Sequence, residues 1–485
     1  MADWSKVNAA LGPRLEEETP AMRITTKDEF LKKVDDIVRI INKVLHEQVD
    51  EKSANPFKQR WWMEELTRLK KTQNRLSNNS HKFCHVRDHP AHAEYKVAAN
   101  KFKEVMMETR NQDWIDWLEG VSQQDLYLAN KYISNEPSDY SNACILALRI
   151  VSNGMPDLAE DNEQKVKALA SSFFLPPPNT SHVPPHQEYL TPLKGLRFFS
   201  KERIWEAICT LSPFKAPGLD KIPNVVLMKC TDVLIDHLFY IYRAVFELTV
   251  YHPRWLKSIT LVLRKIGKTT YDVAKLYWPI GLIDTIPKVL STLCSKHISF
   301  LAEKHNLLLP TQFGRWPGRN TTDAMLLMVH KIKDAWRRGK VAAALFLDVQ
   351  GAFPNTVKEQ LIHNMRMQRV LKCFTDIVAL SLTGHTTTLK FDDFMSDPIV
   401  LDNGTTQGDP SSMNYYSFYN APLIEIAAGD DKLSPGFIDD SMVLAISNSL
   451  EQCHGMLKDM MERPMGALAG PLRIIPLSSC PKPRL

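Results

Sequence analysis

The stretch VAAALFLDVQGAF, Val341 to Phe353, organises the reading of this chain: a run of small and branched apolar residues breaks onto one carboxylate, Asp348. A run apolar on both faces and rich in Ala, Leu and Val predicts a strand buried in a sheet, although periodicity alone does not exclude a helix. Its acid then sits where the strand emerges. Farther along, GFIDDSMVLAI sets Asp439 and Asp440 between two short apolar arms, the pattern of a hairpin carrying both carboxylates at its tip.

Neighbouring like charges repel, so this arrangement makes most sense with a cation between the acids. Magnesium suits the task, because it takes one or two protein carboxylates and leaves positions for phosphates and water. Two such ions about 3.5–4 Å apart would clamp the attacking and leaving oxygens of an in-line phosphoryl displacement. The chemistry inferred is nucleotidyl transfer. An Asp-Asp pair taken alone is more often a helix N-terminus or a solvated turn, so order and spacing of the motifs carry the argument.

FLDVQGAF, NGTTQGDPSSM and FIDD, in that order, resemble the three palm motifs of reverse transcriptases, specifically those of non-LTR (LINE-type) retrotransposons of fungal character. The resemblance implies an α+β fold: right-hand polymerase fingers and palm, with an antiparallel catalytic sheet, helices on one face and a helical N-terminal extension; the thumb that relatives carry is expected to be missing here. It implies that Asp348 and Asp439 hold two magnesium ions, helped by the Val349 carbonyl, with Asp440 as a neighbouring acid. Phe353 would close against the ribose 2′ position and favour deoxynucleotides. Gln407 and Gly408 would position the nucleotide, with Gly408 letting the backbone approach the base pair. The implied partners are an RNA template, a DNA primer and deoxynucleoside triphosphates. Two rivals remain: a remnant that binds RNA or primer-template without polymerising well, and an RNA-templated RNA polymerase, against which Phe353 argues.

Composition permits this reading without demanding it. The 485 residues, 44% of them hydrophobic, suffice for several cores, and 60 basic against 55 acidic residues leave a net charge of only +5. Eight cysteines without a C-x-x-C pair indicate neither a disulfide framework nor a four-cysteine zinc site. With no apolar stretch near ~18 residues and an acid-bearing N-terminus, a soluble intracellular protein is expected, with no membrane partner. Nothing fixes an oligomeric state.

Residues 1–25 are polar, carry Pro13 and Pro20, and are expected to be disordered. A helical region, 26–174, follows, beginning with a helix capped by Thr26. Within it HKFCHVRDHPAH gives His81, Cys84, His89 and His92 zinc-like spacing, although a solvated connection is the preferred reading. The region looks like the helical segment between endonuclease and polymerase in LINE-type proteins, with no endonuclease before it. A proline-rich linker is expected over 175–196 and the fingers and palm over 197–463. Ser200 caps a helix leading to KAPGLDKIP, which resembles the first fingers motif, and Lys215, Lys221 and Arg319 are the nucleic-acid contacts implied. TTTLKF and DPIVLDNG are expected to pair as strands of the palm. Asn320 caps a helix with Met325, Val329, Ile332 and Trp336 facing a core.

The chain departs from the family twice. Relatives read Tyr-Arg-Pro-Ile where this sequence has Tyr277-Trp278-Pro279-Ile280, and Gly-Arg before Pro-Gly where it has Arg315-Trp316. The first arginine grips the triphosphate through a planar fork that Trp278 lacks, leaving Arg264 and Lys268 as the surviving phosphate contacts. Losing one such contact costs on the order of 2–4 kcal/mol in the transition state, roughly 30- to 1000-fold in rate. The residues after Arg463 lose helical period and look like an irregular ending on a truncated copy.

Overall fold

The computed structural model describes residues 3–49, 61–119, 145–152, 155–178, 183–184, 186–193, 199–265, 268, 270–314, 316, 318–349, 351–427, 429–462 and 474–476. It is a mixed α+β structure divided into two compact units, one comprising 1–50 and 143–485, the other 51–142. The helical region expected over 26–174 is therefore not one domain.

The first helix corrects the expectation of a disordered N-terminus. In α1 (Trp4–Glu18), Val7, Leu11 and Leu15 recur every fourth residue and are buried, and the Asp3 side chain accepts from the Ser5 and Lys6 amides. That stripe is short, is interrupted by Gly12 and Pro13 and is followed by three glutamates, so composition hid it. Helix α2 (Lys27–Gln48) starts with the expected Thr26 cap, closed reciprocally by Glu29. Buried Lys33 on α2 donates to the Thr19 and Pro20 carbonyls at 2.5 Å each, capping the end of α1; burial pushes its pKa down to about 8.

The second unit holds α3 (Glu64–Lys82) and α4 (Pro90–Glu119), joined by the histidine-rich turn. The turn is hydrogen-bonded rather than merely solvated. His92 Nε2 meets the Phe83 and Val86 carbonyls at 3.2 and 2.9 Å, so it carries the proton, and Nδ1 accepts from Ser80 Oγ at 2.7 Å. Phe83 and His89 stack at 3.8 Å. Among the described residues no group of three or more metal-ligating side chains occurs.

The first unit resumes with a hairpin, β1 (Leu148–Ser152) and β2 (Met155–Ala159), then α5 (Asn162–Phe173). Where described, the proline-rich stretch lies against its own unit: the Leu193 amide donates to the Arg369 carbonyl, and Arg366 sits 4.2 Å from the Tyr189 ring. Helices α6 (Lys201–Cys209), α7 (Asn224–Lys229) and α8 (Thr231–Glu247) follow, then β3 (Lys257–Arg264), β4 (Tyr277–Leu282) and α9 (Thr285–Lys304). The largest core joins α1, α2, α6, α8 and α9.

Helix α10 (Thr321–Arg337) has the expected Asn320 cap, but it is rotated relative to the expected face. Leu327, Met328, Ile332 and Ala335 pack inward, and Met325, Val329 and Trp336 are exposed. Then come β5 (Val341–Val349), α11 (Lys358–Met367), α12 (Lys372–Ser381), β6 (His385–Phe391), β7 (Phe394–Met395), β8 (Ile399–Leu401), α13 (Ser412–Tyr419), α14 (Ala421–Glu425), β9 (Lys432–Leu433), β10 (Gly436–Phe437), β11 (Asp440–Ser447), α15 (Leu450–Glu462) and β12 (Ile474–Pro476).

One sheet has the order β10-β11-β5-β12, with β9 also on β11; another has the order β4-β3-β6-β7, with β8 on β6. The strands TTTLKF and DPIVLDNG do pair, as β6 with β8, but they join β3 in parallel rather than the sheet of β5. The residues after 463 are not wholly irregular, since β12 runs antiparallel to β5 and places Ile475 opposite Asp348. Among the described residues no helix is long and apolar enough to cross a membrane.

Candidate active site at the end of the β5/β11 pair

Strand β5 packs one face, Val341, Ala343, Leu345 and Leu347, into a core, while Phe346 on the other face is 47% exposed, so it is not buried on both faces as its composition suggested; its register decides what lies at its end. β11 pairs antiparallel with β5 from Ser447↔Val341 to Ser441↔Leu347. One step farther in the same register brings Asp440 level with Asp348. Opposed backbone positions in such a ladder lie about 4.5–5.5 Å apart. Asp439 occupies the tight turn next to it, between Phe437 and Asp440, which pair across the hairpin. The Asp348 side chain itself lies outside the described set; Asp439 is half-buried and Asp440 exposed.

The turn is held in a strained shape. Ile438 has φ +61, a left-handed conformation that costs a β-branched residue about 1–3 kcal/mol and persists only where its surroundings impose it. Two neighbours do so. Asn420, fully buried after α13, donates through Nδ2 to the Ile438 carbonyl and to Ser441 Oγ, both at 3.2 Å. The segment Thr311–Gly314 runs beside β10, with the Phe313 amide on the Gly436 carbonyl at 2.8 Å and the Gly436 amide on the Thr311 carbonyl at 3.0 Å. Gly314 abuts the turn so closely that a Cβ would stand 2.5 Å from the Ile438 nitrogen. Arg319 staples this segment, donating to the Pro310 and Gln312 carbonyls at 2.8 Å each and lying 5.7 Å from the Trp316 ring. The guanidinium expected on nucleic acid is thus committed to the loop that supports the hairpin. Trp316 is partly buried against the large core, and Arg315 lies outside the described residues.

The Gln407–Gly408 loop is fixed from two sides. The Gly281 amide on β4 donates to the Gln407 carbonyl at 2.6 Å, and a Cβ on Gly408, whose φ is +123, would meet the Gly281 carbonyl oxygen at 2.5 Å. Asp409 accepts from the Ser411 amide at 2.7 Å and from Ser291 Oγ on α9 at 2.9 Å, tying the loop to that helix. Phe353, in the turn after β5, joins the same loop: its carbonyl accepts from the Thr405 amide at 2.7 Å, and its ring lies 5.5 Å from Tyr416. The structure therefore connects Phe353, Gln407 and Gly408 through one loop, and sets Val349, Asp439 and Asp440 together at one strand end.

The basic residues are placed differently. Arg264 ends β3, half-buried, with its guanidinium 4.9 Å from the Tyr271 ring; Lys268 is exposed beyond it. Lys215 and Lys221 are exposed in the loop before α7, with Phe214 beside Lys215 at 88% exposure. Under that loop lie two carboxylates that sequence reading passed over. Asp220 and Asp284 are 2% and 3% exposed. The Asp220 amide donates to Asp284 Oδ1 at 2.9 Å, and the Thr285 amide donates to Asp220 Oδ2 at 3.1 Å, which locks the loop to the start of α9. Burial, and then the charge of Asp284, push Asp220 up to about 7; burial also raises Asp284. Asn420 and the acid pair carried no local signal, because their partners are distant in sequence. The Pro217-Gly218 turn was a partial pointer, since only glycine fits against the Asp284 amide there.

Comparison with known proteins finds relatives over about half of the chain. The chain is 24% identical over 279 residues to a protein named as the probable RNA-directed DNA polymerase from transposon BS of Drosophila melanogaster, covering 56% of this chain and 30% of the relative. It is 23% identical over 275 residues to the RNA-directed DNA polymerase from mobile element jockey of the same organism, covering 54% and 29%. It is 25% identical over 248 residues to the probable RNA-directed DNA polymerase from transposon X-element, covering 50% and 27%. This chain is a distant homologue of RNA-directed DNA polymerases of mobile elements. It spans less than a third of the length of those relatives. All three are from Drosophila, so the expected fungal character finds no support. No protein-family model matches the chain.

Proposed function

We propose that this chain carries the nucleotidyl-transfer core of a non-LTR retrotransposon reverse transcriptase, adding deoxynucleotides to a primer 3′ hydroxyl on an RNA template. In this reading the β5/β11 sheet is the palm, and the β3/β4/β6 sheet with α6 and α9 forms the fingers. The observation that carries it is the β5/β11 register, which brings one acid of the first motif level with the acid pair of the third. Carboxylates with the Val349 carbonyl are hard oxygen donors, the set magnesium prefers. Two ions held there would lower the cost of charge developing on the attacking and leaving oxygens. Asp348 and Asp439 would hold them, with Asp440 adding negative charge. Asn420 and the Gly314 segment keep the turn in its strained shape, Gln407 and Gly408 present backbone to the nascent base pair, and Phe353 excludes a ribose 2′ hydroxyl. Lys215, Lys221 and Lys268 are the exposed cations available to phosphates.

The test is primer extension on a heteropolymeric RNA template with deoxynucleotides and magnesium, comparing the chain with Asp439→Asn. The expected result is a loss of at least roughly 100-fold in Asp439→Asn with the fold unchanged by circular dichroism. Equal incorporation by the two proteins overturns the assignment, and a preference for ribonucleotides would make it an RNA polymerase.

The remnant reading rests on Trp278, which stands exposed on β4 where the family has its arginine. If triphosphate grip has been lost there, Trp278→Arg raises incorporation by about 30- to 1000-fold, whereas an already competent enzyme gains nothing.

A further inference from the structure

Beside the Gln407–Gly408 loop lies a cavity of about 30 Å³ whose walls come from β3, α9, the end of α12, the start of β6 and the start of α13. Ser258, Ser291, Ser381, Ser411 and Ser412 line it, and each spends its proton elsewhere. Ser258 Oγ donates to Thr387 Oγ1 at 3.0 Å, Ser381 Oγ to the Val378 carbonyl at 2.9 Å and Ser412 Oγ to the Thr406 carbonyl at 2.8 Å. Ser291 Oγ and Ser411 Oγ donate to Asp409 at 2.9 and 2.6 Å. What these hydroxyl oxygens still offer is lone pairs. His385, 8% exposed, also lines the cavity and adds another: Nε2 donates to the Ser381 carbonyl, which fixes the tautomer and leaves Nδ1 an acceptor with no partner among the described residues.

The carboxylate on the wall is Asp409. A carboxylate has about four acceptor positions, and the Ser411 amide, Ser411 Oγ and Ser291 Oγ take three of them. No lysine or arginine among the described residues pairs with it; Lys288, one turn before Ser291 on α9, feels its charge only after those of Asp220 and Lys215. Burial, and then the charge of Asp409, raise the pKa of Tyr251, whose ring is also on the wall. Lone pairs around one unbalanced negative charge call for a cation, whereas water alone would fill the space and leave the charge uncompensated. The volume takes about two water-sized bodies, an ion and one water. Magnesium keeps several waters and does not fit, and calcium sites use more carboxylate charge than one Asp supplies. Neutral oxygens with a single charge are a donor set that replaces the hydration shell of a monovalent ion. We propose that this cavity binds a monovalent metal cation, sodium or potassium, through the Asp409 carboxylate and the serine hydroxyl oxygens, and that the ion braces the Gln407–Gly408 loop against α9 and β6. The site stands on the chemistry of the cavity; only its effect on nucleotide binding rests on the polymerase reading.

The experiment is thermal denaturation of the full chain at fixed ionic strength in sodium, potassium or N-methyl-D-glucamine chloride, the last cation being too large for the cavity. A dissociation constant of about 10 mM would multiply the ratio of folded to unfolded chain roughly tenfold at about 100 mM ion, so sodium or potassium should raise the melting temperature saturably by about 2 °C or more. Asp409→Asn should abolish the difference, because it removes the charge. Its own lower stability does not matter, since each protein is compared with itself. Ser381→Ala, which removes one ligand oxygen and a bond within its own helix, should raise the midpoint of the ion titration at least about threefold. Equal melting in the three salts overturns the proposal, as does a response that survives Asp409→Asn or a midpoint that Ser381→Ala leaves unmoved. In primer extension, the KM for deoxynucleotides should fall as the ion saturates, with kcat unchanged. An ion response in melting by a chain that never extends a primer keeps the site and overturns the polymerase reading. Extension by a chain whose melting ignores the ion does the reverse.

Discussion

Gly281→Ala tests how the nucleotide-positioning loop is held. A Cβ at this position would stand 2.3 Å from Thr406 Cγ2, with the Gln407 carbonyl oxygen next at 3.2 Å and Thr406 Cβ at 3.8 Å. Real carbon contacts need more than a further ångström, so β4 and the loop must separate. The Gly281 amide then loses its 2.6 Å hydrogen bond to the Gln407 carbonyl. Overpacking costs about 1–3 kcal/mol and the hydrogen bond about 1 kcal/mol more, so urea denaturation should show about 2–4 kcal/mol of lost stability. The obstruction is a single methyl, which makes the reasoning refutable. Thr406→Ser removes that methyl, and the double variant should recover most of the loss, leaving contacts of ordinary tightness. Gly408→Ala is the contrast, because its Cβ would meet the Gly281 backbone oxygen at 2.5 Å and its φ is +123, so no side-chain change relieves it. A neutral Gly281→Ala, or a double variant no better than the single, refutes this account of the loop.

Asn420→Ala should cost about 2–4 kcal/mol in denaturation, since it strips two acceptors of a buried donor; a loss below 1 kcal/mol would mean that the Gly314 segment alone holds the turn. The buried acid pair makes stability depend on pH. A carboxyl raised on folding from about 4 to about 7 favours the protonated folded state, so stability is full below pH ~4 and falls by a few kcal/mol as pH rises through about 7. Asp284→Asn should flatten that fall in melting temperature between pH 5 and 8, and an unchanged slope counts against mutual repulsion. In the second unit, His92→Ala should lower the melting temperature of the helical pair, whereas added zinc or chelator should leave it unmoved; a zinc-dependent shift would restore the metal reading.

The sequence was sufficient for whatever depends on near neighbours. Thr26 with Glu29, Ser200 and Asn320 with Asp323 cap their helices as expected, because a cap is completed within one turn of chain. The Asp-Asp hairpin was legible for the same reason, as two apolar arms around a short turn. Tertiary structure decided the rest. The parallel union of β3 with β6 joins segments more than a hundred residues apart, so β6 and β8 left the sheet to which their local pattern had assigned them. Helix α10 turned a different side inward because β11 and β9 offered Leu444 and Leu433, a partner its own periodicity does not specify. Arg319 went to loop carbonyls, and Asp220 met Asp284, through contacts that no spacing encodes. Caps and turns are settled by residues a few bonds apart, whereas register, face and the partners of buried polar groups are settled by which distant surfaces bury each other.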